Sequence, residues 1–128
     1  MNVAIICTAL LGLLLFGLGL NVSMQRRRLR RSVGYDASPT DPIHRAVRAH
    51  ANTAEYAPFF AVMFLWFATR PAPMWIMVTI VIATLARFAL VAGLLWGASL
   101  NRPNAARFAG ALFTYLSGLA LAVGLVAG

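Results

Sequence analysis

Five residues between positions 45 and 56 have side chains suited to holding a small polar or charged molecule: Arg45, Arg48, Asn52, Glu55 and Tyr56. On a helix with Arg48 at zero, Arg45 falls at about +60°, Asn52 at about +40°, Glu55 at about −20° and Tyr56 at about +80°. One face thus carries two guanidiniums, an amide, a carboxylate and a phenol, stacked over about 16 Å at about 1.5 Å rise per residue. Guanidiniums bind carboxylates through paired N–H donors, and the amide, carboxylate and phenol add donors and acceptors beside them. His50 points to the opposite side.

What must position this face is a membrane helix. The chain has 128 residues, 61% hydrophobic and 11% charged, where a soluble domain carries about 25% charged residues. Met1–Gln25, Tyr56–Thr69, Pro71–Ala86 and Phe108–Gly128 carry no charge at all. A stretch of roughly 20 apolar residues crosses the hydrocarbon core, so the length accommodates four spans and no soluble domain. The reading is an all-α integral membrane protein, one domain over 1–128, with four transmembrane helices at about 2–24, 43–69, 74–96 and 105–127. Asp41 is placed to cap the second helix with Pro42 at its first position. Arg70-Pro71-Ala72-Pro73 and Asn101-Arg102-Pro103-Asn104 form turns.

The net charge of +8 comes wholly from arginine. Arg26, Arg27, Arg28, Arg30, Arg31, Arg102 and Arg107 flank the loops after the first and third helices, against Arg70 alone after the second. Short cytoplasmic loops collect Lys and Arg, which explains the basic run without a nucleic-acid partner and puts both termini on the non-cytoplasmic side. The expected location is a bacterial inner membrane, with lipid as a partner. No basic segment precedes the first apolar run, so it is expected to be a retained helix rather than a signal peptide. Cys7 stands alone in that run and His44 and His50 lack partners at ligand spacing, so no metal site is expected. There is no phosphate-binding loop, no nucleophile elbow and no inverted repeat of the transporter kind.

Arg87 interrupts the third helix, and Glu55 is the only carboxylate expected at comparable depth. A Glu55–Arg87 pair is therefore the expected neutralisation. Ionisable groups inside a membrane mark function by default; the alternative is a polar clamp, with Asn52, that merely holds the bundle in register.

The run Arg48-Ala49-His50-Ala51-Asn52-Thr53-Ala54-Glu55-Tyr56-Ala57-Pro58 resembles the R-A-x-x-N-x-x-E-Y-x-P signature of the membrane-associated proteins in eicosanoid and glutathione metabolism, the MAPEG family. The motif sits early in the second of four helices after a basic loop, as in that family, and the likeness extends over essentially the whole chain. It implies a homotrimer of four-helix bundles that holds glutathione between subunits. Arg48, Asn52, Glu55 and Tyr56 would contact the tripeptide, His50 would reach in from the adjoining subunit, and Arg27 or Arg28 would meet a further carboxylate. Arg107, or alternatively Arg102, would stabilise the glutathione thiolate as the catalytic group. Where the leukotriene synthase of the family has tyrosines after the arginine matching Arg87, this chain has Leu90 and Leu94.

The sequence thus points to a membrane protein that takes glutathione as co-substrate and conjugates it to hydrophobic compounds or uses it to reduce peroxides. The rival is a non-enzymatic scaffold whose polar residues organise the oligomer.

Overall fold

A computed structural model describes residues 2–127, which form four helices: α1 Val3–Leu29, α2 Pro42–Ala68, α3 Met74–Trp96 and α4 Ala105–Ala127. The first is longer than the apolar run that predicts it, ending at Leu29 rather than near 24. Gln25, Arg26, Arg27 and Arg28 are good helix formers, and cationic side chains are favoured against the negative end of the helix dipole. Arg30 then stops the helix in the left-handed region at φ 53°, its N–H donating back to the carbonyls of Arg26 and Arg27. At the start of α2 the Asp41 carboxylate accepts from the His44 N–H at 2.8 Å, with Pro42 in the first turn.

The chain folds as two antiparallel hairpins laid side by side, α1 with α2 and α3 with α4. In the first, the Asn2 amide donates to the Ala68 carbonyl at 2.9 Å, and Gly19 of α1 lies against the His50 ring. The two helices therefore run alongside each other for nearly their whole length. This decides how α2 relates to the membrane. By length and composition α1, α3 and α4 qualify as spans while the half-polar α2 does not, yet α2 is as long as α1 and covers the same depth, so it crosses with its neighbour.

Glycines set the separation in the second hairpin. A Cβ added at Gly110 would stand 2.5 Å from the Leu90 nitrogen and 2.7 Å from the Ala86 carbonyl oxygen, and one at Gly93 would meet the Arg107 nitrogen at 2.6 Å. Backbone approaches this close admit no side chain, the small-residue packing by which membrane helices associate. Phe60, Phe64, Phe67, Ile76, Ile80 and Leu121 are buried in the main core, with a smaller cluster of Leu18, Ala49, Leu90, Val91 and Leu94 near the polar half of α2. Leu13, Phe16 and Leu119 are exposed on the outside, the surface expected toward lipid. Among the helix pairs that touch, contact is weakest between α2 and α4, and the site lies beside that seam.

Candidate functional site

A polar cavity of about 220 Å³ opens between α2, α3 and α4. The second helix contributes Arg48, Asn52 and Tyr56, which are four residues apart in succession and therefore stack on one face. The third contributes Arg87, Leu90 and Leu94, and the fourth Arg107, Ala111, Thr114 and Tyr115. Among the described residues, three guanidiniums line this space and no carboxylate does. Uncompensated positive charge in a confined, weakly screened space attracts an anion.

The guanidinium of Arg87 is fully buried. Its Nη2 donates to Asn52 Oδ1 at 2.7 Å and to Thr53 Oγ1 at 3.4 Å, and its Cζ lies 5.2 Å from the centre of the Tyr56 ring. Nε and Nη1 have no partner among the described residues. The expected Glu55–Arg87 pair is not formed: the ion pair among the described residues joins Arg31 to Asp41 at 3.1 Å. Helix geometry explains the difference. Asn52 and Thr53 precede Glu55 by a turn or less and face α3, while Glu55 is exposed and turns toward α4. Arg87 is accommodated by an amide, a hydroxyl and an aromatic face instead of a carboxylate.

Arg107 is fixed at the start of α4. Its backbone N–H is capped by Asn104 Oδ1 at 2.8 Å, its Nη1 donates to the Leu100 carbonyl at 2.6 Å, and Asn104 in turn donates to the Gly93 carbonyl. Arg102 is exposed in the preceding turn and lines a neighbouring surface recess that meets the polar cavity at Arg107 and Ala111. Of the two arginines, Arg107 alone reaches the polar cavity. Arg48 is exposed at the cavity edge.

Several expected residues lie elsewhere in the chain. Arg27 and Arg28 are exposed at the end of α1 and outside the cavity, and His50 packs on Gly19 of its own α1. Arg45, one of the two guanidiniums expected on the site face, has another task. Its Nη1 donates to the carbonyls of Leu95 and Gly97 and its Nη2 to that of Ala98, so it caps the end of α3.

A second opening was not foreseen. An apolar groove of about 500 Å³ runs between α2 and α4, lined by Phe59, Phe60, Met63, Gly118 and Leu119 with Glu55 at its side. It shares Tyr56, Thr114 and Tyr115 with the polar cavity, and the two tyrosine rings stand 6.0 Å apart, tilted by 57°. Thr114 and Tyr115 were missed because α4 carries no charge beyond Arg107. The available signal was spacing: Ala111, Thr114 and Tyr115 follow Arg107 by four, seven and eight residues, the period of one helical face.

Comparison with known proteins gives one family match. The model of the family described as MAPEG matches residues 4–127, essentially the whole chain. No curated protein and no solved structure matches.

Proposed function

This chain belongs to the MAPEG family, and from that premise we propose that it binds glutathione and uses its sulfur on hydrophobic compounds, by conjugation or by peroxide reduction. The observation that carries the reading is the convergence of Arg48, Arg87 and Arg107 on one cavity lined by no carboxylate. Glutathione offers two carboxylates and a thiol that ionises, which suits such a space.

In this reading Arg48, Asn52 and Tyr56 hold the peptide, and Glu55 meets its amino group from the side of the groove. Arg107 stabilises the thiolate. A thiol with a pKa of about 8.5 is mostly protonated at neutral pH, and a neighbouring guanidinium shifts it toward the nucleophilic anion. The sulfur then bonds to an electrophilic carbon, displacing a leaving group or adding to an activated double bond. Alternatively it takes a peroxide oxygen as the O–O bond breaks and an alcohol leaves, after which a second glutathione converts the sulfenic acid to the disulfide and water. The apolar groove meeting the cavity at Tyr56, Thr114 and Tyr115 supports a co-substrate that partitions from the bilayer. The proposed assembly is a homotrimer, in which Arg27 or Arg28 and His50 of one copy serve the cavity of the next.

One observation favours the rival reading: the bonds from Arg87 to Asn52 and Thr53 tie α3 to α2 and would suit a scaffold. Calorimetry on the purified protein distinguishes the two. The glutathione reading expects saturable binding that weakens by about tenfold or more in Arg48→Ala, the cost of losing a charge-assisted bond. Absence of heat with the wild type leaves the scaffold.

A further inference from the structure

The bond between Arg87 and Asn52 determines which end of the amide a ligand meets. A guanidinium has donors and no acceptor, so the Asn52 atom at 2.7 Å from Arg87 Nη2 must be the carbonyl oxygen. The amide is planar, and with Oδ1 committed to α3 its two N–H donors are turned elsewhere. Asn52 lines the polar cavity. Arg87 is fully buried, and the contact with Asn52 is the shorter of its two side-chain hydrogen bonds among the described residues. A charged donor at the oxygen polarises the group and strengthens donation from Nδ2. Arg48 precedes Asn52 by four residues on the same face of α2 and lines the same cavity.

We propose that Arg87 is a positioning residue: it locks the Asn52 amide so that Nδ2 donates to a ligand carboxylate that Arg48 also holds. The inference rests on the glutathione reading and sharpens it, because the group seated at Asn52 must be an acceptor and an anion. The three carboxylates of the chain do not compete for this place. Asp41 pairs with Arg31, Asp36 accepts from Ser38 in the connection before α2, and Glu55 faces the groove.

Asn52→Asp separates this role from a merely structural one. The substitution keeps the shape and improves the acceptor offered to Arg87, but it replaces the two donors by a second oxygen and places negative charge against the ligand. Melting of the detergent-solubilised full chain without ligand should rise above wild type, while glutathione affinity by calorimetry should fall by at least about tenfold. The diethyl ester of glutathione, whose carbonyls accept but carry no charge, should lose much less affinity than glutathione does between the two proteins. Arg87→Lys, which keeps a donor for Oδ1, should retain affinity within about threefold. Wild-type glutathione affinity in Asn52→Asp overturns the inference and leaves the glutathione reading standing. A wild type that binds no glutathione ends the glutathione reading itself. A melting temperature lowered by Asn52→Asp contradicts the bond on which the positioning depends.

Discussion

Arg45 meets Gly97 through a guanidinium-to-carbonyl bond of 2.7 Å, and the same side chain takes the carbonyls of Leu95 and Ala98. The last turn of a helix leaves carbonyls without partners, and a left-handed glycine often turns the backbone to satisfy them. Gly97 does not do so; it is extended at φ −64°, ψ 161°. The start of α2 supplies the cap from outside.

Arg45 therefore carries more structural weight than Glu55, whose expected pairing with Arg87 is not formed. Arg45→Ala should lower stability by about 2–3 kcal/mol, since several charge-assisted bonds are lost and carbonyls are left unmet. Glu55→Ala should change it by less than about 0.5 kcal/mol, as expected of an exposed side chain without an ion-pair partner, while weakening glutathione binding. Thermal melts of both variants in one detergent compare them. A larger loss in Glu55→Ala would mean that Glu55, and not Asn52, compensates Arg87.

Gly110 and Gly118 lie on the same helix and should respond oppositely to alanine. The Cβ at Gly110 would overlap the backbone of Leu90, whereas one at Gly118 would touch the Phe60 ring at an ordinary 3.7 Å. Gly110→Ala should therefore cost about 1–3 kcal/mol by overpacking, and Gly118→Ala should be neutral or stabilise by up to about 1 kcal/mol through helix propensity. Equal melting temperatures for the two variants would contradict the close α3–α4 approach.

The asymmetry of arginines predicts the orientation. With Cys7 replaced by alanine, Ser32→Cys in the connection after α1 should resist an impermeant maleimide added to intact cells, and Ala72→Cys between α2 and α3 should react. Reaction at position 32 alone would invert the topology.

The helices were legible because apolar runs of membrane length and Pro-rich turns leave few other solutions. Arg48, Asn52 and Tyr56 were found by periodicity along one helix, which needs no tertiary information. Failures came where a partner on another helix decided the outcome. Glu55 and Arg87 were matched by charge and depth, but depth does not say which face of α2 turns to α3, and Asn52 and Thr53 hold that face. Arg45 shares an angular position with the site, yet the carbonyls at the end of α3 take its donors. Tyr115 could be recognised only from its register with Arg107, since a single tyrosine in an apolar helix carries no charge to mark it.

In the proposed function this cavity holds glutathione and draws its thiol toward the anion. The most direct measurement is an ultraviolet difference titration of glutathione bound to the purified protein, with Arg107→Leu and Arg102→Leu beside the wild type. Thiolate absorbance is expected with wild type near neutral pH, below the ordinary thiol pKa of about 8.5. The signal should be lost in Arg107→Leu and unchanged in Arg102→Leu, because only Arg107 lines the cavity. Most of the binding should survive in both variants. A bound thiol that titrates like free glutathione in the wild type, or an Arg107→Leu protein that titrates like wild type, would contradict the proposed function.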